Sequence, residues 1–492
     1  MVKKIYIKND KILYVFLSLL FVLTVQIFDV YKGNAAHLIH SIKHFDDNKL
    51  QNDWIANQEH HLPLFTYFNY ILIKLFSSKV VYIVHSLLLG ICTLSLFLIS
   101  KNLFPKLSNR NLYILWFATY IVLFHENSFF SGVAGQKVID AGYQPASFGI
   151  FIFLGIYFFL KNQNLLTIFF ICLAASFHPT YVLHSGFLVA GILISNLIFR
   201  NYKDFLKVSF FYICLILPIT TFVIINFMMI DKELVFIGQK IMFNRIPHHA
   251  DIHYWFSYKD IIFLLIYFTS LYIIRKKKRF FILFFIFGFS SILLSSVQFF
   301  LNSESLALTF PWRSSVFIAP ISSLIIISYL IVRLRMDMTK VSLFAYGFLI
   351  ISTIFFGLKS HIVKDLNLDF REKLQLTKDL KKMSGSIERI LIPVNLDYVR
   401  MYSGLPIFVD WKHPAFRYDQ IIDWKNRMDL ASDFYNSKSL DDQIDSLKKI
   451  QKIENNSHII IKKNNLFVDC EDLIDHDIFM LININNCYGN YF

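Results

Sequence analysis

The sequence predicts an α-helical polytopic membrane protein with about eleven transmembrane helices, followed by a small C-terminal α/β domain. The first observation is composition: 55% of the 492 residues are hydrophobic, and 54 of them are Phe. The second is that apolar runs of about 15 to 22 residues recur as far as residue 357. The third is that short apolar strands alternate with polar amphipathic helices after residue 357.

Each apolar run is assigned to one membrane span. The first span follows a Lys-rich tail and has no small-residue cleavage site after it, so it is predicted to be a retained signal anchor. Segment 64–77 is apolar but short, and we expect it to form an interfacial or re-entrant helix on the outer face. The predicted spans are 12–31, 80–100, 112–125, 147–160, 164–178, 180–199, 208–229, 261–274, 280–301, 316–332 and 341–357.

Charge sets the predicted orientation. Residues 1–357 contain 30 Lys and Arg against 15 Asp and Glu, whereas residues 358–492 contain 19 against 20. With the N-terminal tail in the cytoplasm, every short basic connection falls on the inner side, as the positive-inside rule requires. This placement explains the basic excess better than nucleic-acid binding does, so no nucleic-acid partner is expected.

Two domains follow from this assignment. Residues 1–357 form the membrane domain, with outer segments 32–79, 126–146, 230–260 and 302–315. An odd number of spans places residues 358–492 outside the cytoplasm, on the same side as these segments. That domain is predicted to contain helices 368–383, 418–429 and 438–453, and strands 389–393, 406–409, 458–462, 466–468 and 479–482.

The five cysteines do not form a disulfide framework. Cys92, Cys172 and Cys214 lie in apolar spans and are predicted to be packing residues. Cys470 and Cys487 share the domain predicted to lie outside, where both an oxidised pair and two free thiols remain open.

An acid-rich and histidine-rich stretch follows the first span. Asp29 lies at the predicted outer end of that span, where a carboxylate can act as a general base or bind a divalent cation; the alternative is a solvated interfacial residue. His37, His40 and His44 are spaced for one helix face, which suits a transition metal or, as we favour, the polar face of a helix on the membrane. The other site candidates of this stretch are Asp46, Asp47, Asp53, Glu59, His60 and His61.

Basic candidates lie in the later outer segments. Arg245, His248 and His249 suit a phosphate, because a guanidinium holds two oxygens and imidazoles can donate to the others. The alternative is a loop held by Pro247 whose histidines pair with backbone carbonyls. Arg313, after Pro311-Trp312, is a second cation for the same phosphate.

Two further segments have a structural and a functional interpretation. His178 and Tyr181 flank Pro179 at a span end, where a hydrogen-bonded helix-end histidine is the more common outcome. Trp411 and Lys412 follow a predicted strand and suit sugar stacking and anion contacts, or equally a domain–domain or membrane contact.

These features resemble the GT-C superfamily of membrane glycosyltransferases. An acidic residue ends the first span, an acidic outer loop follows it, and the spans precede an outer α/β domain. The motifs His178-Pro-Thr-Tyr181, Arg245-Ile-Pro-His-His249 and Asp410-Trp-Lys-His-Pro414 look like signatures of a bacterial branch near those enzymes. The Asp-Glu pair usual at the first span is absent, because Val30 follows Asp29.

The resemblance implies transfer of a sugar from a polyprenyl-phosphate donor to a glycan, lipid or protein acceptor, on the outer face of a bacterial plasma membrane. Asp29, Asp53 or Asp47 would be catalytic, and Arg245, His248, His249 and Arg313 would hold the phosphate. A divalent cation, Mg²⁺ or Mn²⁺, bound by Asp29 and Asp53 is compatible with this chemistry but not required. The alternatives are a polysaccharide polymerase or ligase that relies on outer arginines, and a transporter or envelope scaffold.

Overall fold

The structure, a computed structural model, describes residues 2–26, 35–43, 49–125, 127–333, 338–365, 368–462, 472–475 and 479–484. Helices dominate these residues. Those of six or more residues are Val2–Val25, Pro63–Phe76, Val80–Leu103, Arg110–His125, Ile150–Leu160, Asn164–Phe177, Tyr181–Ile198, Tyr202–Val223, Lys232–Arg245, Tyr258–Ile274, Lys278–Leu301, Ser315–Arg333, Met338–Asp365, Leu368–Lys382, Tyr398–Ser403, Tyr418–Asn436 and Leu440–Ile453.

Membrane-length helices are present. Among the described residues, five helices are long and apolar enough to cross a membrane: Val80–Leu103, Tyr181–Ile198, Tyr202–Met228, Lys278–Leu301 and Glu304–Arg333. Shorter apolar helices occur at Ile12–Val25, Pro145–Leu160, Asn164–Phe177 and Phe344–Leu358. These helices are those expected of a helical membrane protein. The count of eleven spans stays a prediction.

Helix ends in the membrane part follow local backbone chemistry. Lys278–Leu301 ends at Asn302, whose left-handed φ of 46° is a conformation that asparagine tolerates better than most residues. Tyr258–Ile274 begins at Ser257, which forms a capping box with Asp260. Tyr267 of this helix packs over Gly288 of Lys278–Leu301, where a Cβ would lie 2.3 Å from the phenol ring.

The chain divides into two compact units. The first contains Met1–Asp29, Lys79–Val223 and Phe243–Lys364, and the second contains Val30–Ser78, Ile224–Met242 and Asp365–Phe492. The second unit therefore includes most of the first outer segment as well as the C-terminal residues. Sequence patterns gave no indication of this grouping, because it depends on contacts between residues some 350 positions apart.

The second unit contains a four-stranded sheet. Its strands are β1 (Ile390–Leu391), β2 (His458–Lys462), β3 (Asp472–Asp475) and β4 (Phe479–Asn483), in the order β1-β2-β4-β3. β1 and β2 are parallel, and the other two pairs are antiparallel. A parallel pair needs a long crossover, and helices Tyr418–Asn436 and Leu440–Ile453 lie in it.

Most predicted elements of the C-terminal residues are found close to their expected bounds. The predicted strand 458–462 is present with those bounds, and helix 418–429 continues to Asn436. Residues 406–409 do not form a strand; a single parallel bridge joins Ile407 to Ile390. β3 was not predicted, and predicted strand 466–468 lies outside the described residues. The core of this unit is aliphatic and includes Leu376, Ile392, Val399, Ile460 and Leu481.

Candidate functional site

Arg313 is the centre of a polar network in the first unit. It lies in the short turn Pro311–Ser314, and its side chain is half-buried. Nε donates to Oε1 of Gln136 at 3.1 Å, and Nη1 donates to the hydroxyl of Thr180 at 3.0 Å. Two segments of the chain that are far apart in sequence thus contact the same guanidinium.

Two histidines extend this network. The Thr180 hydroxyl, which accepts from Arg313, also forms a hydrogen bond of 2.7 Å with Nδ1 of His178. The amide nitrogen of Gln136 donates to Nδ1 of His249 at 2.7 Å. The same amide nitrogen lies 3.2 Å from Nε2 of His249, so Gln136 contacts both nitrogens of that ring.

Arg313 has no carboxylate partner within the described residues. A half-buried cation is costly without a counter-charge. A guanidinium has five N–H donors, and within the described part of the chain Gln136 and Thr180 accept from two of them, while the Phe310 ring lies 5.0 Å from its central carbon. The arrangement therefore suits an anion.

His249 is held in its neutral form. Burial, followed by the charges of His248 and Arg313, lowers its pKa to about 3. The charge of Arg245 acts in the same direction, which places Arg245 electrostatically close to this ring. The rings of His248 and His249 are 4.0 Å apart, between centroids. The structure thus groups His249 with Arg313 directly, and His248 and Arg245 with His249.

Several helices fix the turn that carries Arg313. Trp312 donates its indole N–H to the carbonyl of His249 at 3.0 Å, and Ser291 donates to the carbonyl of Pro311 at 2.7 Å. The buried His184 ring lies 2.8 Å from the Ser314 hydroxyl. Anchoring on both sides limits how far the guanidinium can move, which lowers the entropic cost of binding an anion there.

Tyr181 has a supporting position in the same region. Its side chain is buried, and its hydroxyl donates to the carbonyl of Ala146 at 3.0 Å. Its ring is 5.0 Å from that of His178. We therefore assign Tyr181 to the framework behind His178 rather than to ligand contact.

An apolar cavity of about 380 Å³ shares Trp312 with this network. Aromatic and aliphatic side chains form most of its wall, together with four serines and Asp260. All of its lining residues belong to the first unit, among them Val133, Trp255, Phe263, Tyr267, Phe299 and Ile318. An anion site and an apolar cavity that share a residue suit a ligand with a charged head and an apolar tail.

Asp53 lies in the second unit and is fully buried. Its Oδ1 accepts from the backbone N–H of Ala56, and its Oδ2 accepts from Nε of Arg400 and from the backbone N–H of Ile407, each at 3.0 Å. A carboxylate with these three donors and no exposed surface is well suited to joining chain segments. It is poorly suited to collecting a proton from a substrate.

Arg400 also pairs with Asp410, which is buried as well. Asp410 accepts from Nδ1 of His413 at 2.7 Å and from its backbone N–H at 2.8 Å. Burial alone would raise the pKa of the Asp410 carboxyl, but the charges of Arg400 and His413 and the two hydrogen bonds lower it to about 2. This network explains the Asp-Trp-Lys-His-Pro motif as largely structural, with Trp411 exposed at the surface beside Lys412.

Four histidines of the second unit form a cluster around Phe416. The ring centroids of His40 and His60 are 4.0 Å apart, those of His37 and His61 are 6.0 Å apart, and His61 is 3.6 Å from Phe416. Burial lowers the pKa of His37 and of His40 to about 3, with smaller effects from nearby charges. His40 is buried, which does not fit its expected position on the polar face of a helix lying on the membrane.

Metal binding receives no support from the described residues, in which no group of three or more His, Cys, Asp or Glu side chains could hold an ion. Glu59 is exposed. Burial lowers the pKa of Lys43, and the charge of Glu59 opposes this shift. Asp29, His44, Asp46 and Asp47 lie outside the described residues, so the predicted base and the metal ligand at Asp29 stay predictions.

Gln136, Thr180 and Arg400 were not predicted from the sequence as site or network residues. Gln136 lies in a polar segment that contains many equivalent side chains, and Thr180 lies inside the His178-Pro-Thr-Tyr181 motif without a residue type that suggests a phosphate contact. Arg400 lies in a short helix of the C-terminal residues, and only the fold brings it to Asp53.

Known proteins add nothing to these assignments, since no family model and no curated protein matches the chain.

Proposed function

We propose that this chain is a membrane glycosyltransferase that moves a sugar from a polyprenyl-phosphate donor to a cell-envelope acceptor on the outer face. The observation that carries the proposal is the Arg313 network, a half-buried guanidinium without a carboxylate partner among the described residues. GT-C membership rests on the sequence resemblance alone, and the topology rests on charge placement.

The adjoining cavity supports a lipid-linked donor. Its volume of about 380 Å³ holds a few isoprene units and not a whole polyprenyl chain, so the rest of the chain would extend into the bilayer. The shared Trp312 would lie between the phosphate and the first apolar segment. Aromatic residues commonly occupy such a boundary between polar and apolar surroundings.

The transfer would break the bond between the anomeric carbon and the phosphate oxygen, and form one between that carbon and an acceptor oxygen. The bonding electrons leave with the polyprenyl phosphate, whose extra negative charge Arg313 would stabilise. The neutral His249 can donate one N–H to the same phosphate. The acceptor proton needs a base, and Asp29 is the predicted candidate at the end of the first span.

Asp53 is a weaker candidate for base or metal ligand, because its oxygens already accept three N–H donors away from solvent. We therefore derive no step through a divalent cation, and assign Asp53 a structural role. Asp47 remains an untested alternative to Asp29.

Binding of the lipid phosphate can be tested without knowing the sugar. Thermal unfolding of the purified chain is measured in the presence of polyprenyl phosphate and, separately, of polyprenol of the same length. Wild type should gain stability with polyprenyl phosphate and not with polyprenol. At a polyprenyl phosphate concentration of 100 times Kd, the free energy of unfolding should rise by about 2.7 kcal/mol. Arg313→Gln should lose this gain, whereas Arg275→Gln, an exposed arginine outside the network, should keep it. Equal stabilisation by both lipids would contradict a phosphate site.

A polysaccharide polymerase or ligase is the second candidate. It would rely on arginines, and Arg313 is the centre of the network described above. Both classes need the phosphate site, so the distinction lies in the base. Asp29→Asn should abolish release of polyprenyl phosphate by a glycosyltransferase while donor binding persists. Full turnover by Asp29→Asn, together with loss in Arg313→Gln, would favour the arginine-dependent class.

A further inference from the structure

Helix Pro63–Phe76 of the second unit has one buried and one exposed face. Phe65, Asn69 and Ile73 are buried on one side. Its backbone is tied to the same unit, because Ser41 donates to the carbonyl of Thr66 at 3.0 Å. The helix is therefore a fixed part of the unit, and only its other face is open to an additional partner.

The exposed face is apolar. Leu64, Tyr67, Ile71 and Leu75 follow helical spacing along one stripe, and they are 37%, 63%, 52% and 67% exposed. A continuous stripe of large exposed apolar side chains marks a binding surface rather than a soluble exterior. Lys74 lies on the same side, with its ammonium 3.3 Å from the hydroxyl of Tyr70.

The position of the helix in the chain indicates the partner. Three residues, Ser77 to Lys79, separate it from Val80–Leu103, one of the helices long enough to cross a membrane. Four peptide steps from Phe76 to Val80 reach at most about 14 Å. The chain therefore leads from the end of the stripe into a membrane-length helix within three residues.

The helix itself is too short to cross. Its 14 residues extend about 21 Å, less than the hydrocarbon thickness of about 30 Å. Its buried face contains Thr66 and Asn69, which are hydrogen-bonded within the protein. Lys74, Tyr70 and Lys79 supply the basic and aromatic groups that favour anionic head groups and the membrane interface.

We propose that the stripe Leu64, Tyr67, Ile71 and Leu75 lies in the lipid interface and holds the second unit against the membrane through acyl chains and anionic head groups. The inference depends on exposure and connectivity, and it is independent of the proposed glycosyl transfer.

The test uses the full chain in proteoliposomes that contain phosphatidylglycerol. Nitroxide labels are placed at Tyr67, Ile71 and Leu75 in a cysteine-free background, with Asn426, an exposed position of helix Tyr418–Asn436, as the matched control. We expect higher accessibility to oxygen than to a water-soluble nickel chelate at the three stripe positions, and the reverse at Asn426. An aqueous profile at all three would overturn the proposal.

A second measurement retains the native cysteines. A benzophenone amino acid at Ile71 should form adducts with phospholipid on illumination, and one at Asn426 should not. Crosslinks to a second copy of the chain in place of lipid adducts would assign the stripe to a protein interface and overturn the lipid assignment.

Discussion

At the scale of single residues, two buried ionic groups of this chain have opposite uses. Arg400 lies between Asp53 and Asp410, so its charge is neutralised and its position is fixed. Among the described residues Arg313 has an amide, a hydroxyl and the Phe310 ring as partners and no carboxylate, so its charge is not neutralised there. The difference lies in the partners and not in the residue type, which is why sequence patterns could not separate a structural from a binding arginine.

A structural role for Asp53 predicts loss of stability rather than selective loss of turnover. Asp53→Ala leaves Arg400 with one carboxylate and frees two buried backbone N–H groups. Breaking a buried ion pair costs roughly 3–5 kcal/mol. Thermal unfolding of the purified variant measures the change, with the exposed Asp433→Ala as control. A variant as stable as wild type but inactive would instead support catalysis by Asp53.

The histidine cluster predicts acid sensitivity of the second unit. The folded pKa of His37 and of His40 is about 3, below the value of about 6.5 in an unfolded chain. Between these values the unfolded chain binds more protons, so stability falls as pH falls below about 6.5. Each histidine contributes at most about 1.4 kcal/mol per pH unit.

The matched variant is His40→Asn, whose amide N–H can replace the Nδ1–H that donates to Ala56. Unfolding midpoints measured from pH 7.5 to 5 should depend less on pH in His40→Asn than in wild type. The exposed His253→Asn should leave the slope unchanged. Identical slopes for wild type and His40→Asn would rule out this source of acid sensitivity.

At the scale of elements, the Arg313 network depends on close approach between a loop and a helix. Gly132 precedes the turn Val133–Gly135, and a Cβ there would lie 2.4 Å from the Ser315 hydroxyl and 2.6 Å from the backbone nitrogen of Val316. The backbone N–H of Val133 donates to the same hydroxyl at 2.9 Å. Only glycine allows the loop to bring Gln136 to Arg313 in this geometry.

Gly132→Ala should therefore displace the loop and weaken anion binding. Overpacking of this kind costs about 1–3 kcal/mol. The expected result is a lower unfolding midpoint together with reduced stabilisation by polyprenyl phosphate. Gly90→Ala is the control, because a Cβ at Gly90 meets nothing within 4 Å. Unchanged lipid stabilisation in Gly132→Ala would show that the loop position does not matter for binding.

At the scale of the whole molecule, charge placement and helix length both indicate a membrane protein. Five described helices reach membrane length, and the positive-inside rule predicts the orientation. Eleven spans and a cytoplasmic N-terminus together predict that the C-terminal residues are outside.

This topology predicts opposite labelling at two exposed lysines. A membrane-impermeant maleimide applied to intact cells should modify Lys438→Cys, in the C-terminal residues, and spare Lys277→Cys, in the basic connection before Lys278–Leu301. Permeabilised cells control for reactivity, since both sites should then react. Protection of Lys438→Cys in intact cells would contradict the predicted orientation.

The sequence by itself determined the elements with strong periodicity. Long apolar runs became helices because a helix satisfies its own backbone groups without outside partners. Strand β2 has its predicted bounds. Its apolar run is short, consists of β-branched isoleucines and is flanked by polar residues, which favours a strand. The sequence also predicted a phosphate site of Arg245, His248, His249 and Arg313, because their residue types suit phosphate, and that site stays a prediction.

Only the tertiary structure decided which residues meet. Gln136, Thr180 and Arg313 are up to 177 positions apart, and Asp53 and Arg400 are 347 apart. Residue types fix what a side chain can bind, but long-range packing fixes whether a partner is already present. For that physical reason Asp53 changed from a candidate base to a structural carboxylate, while Arg313 kept its predicted role in anion binding as a proposal.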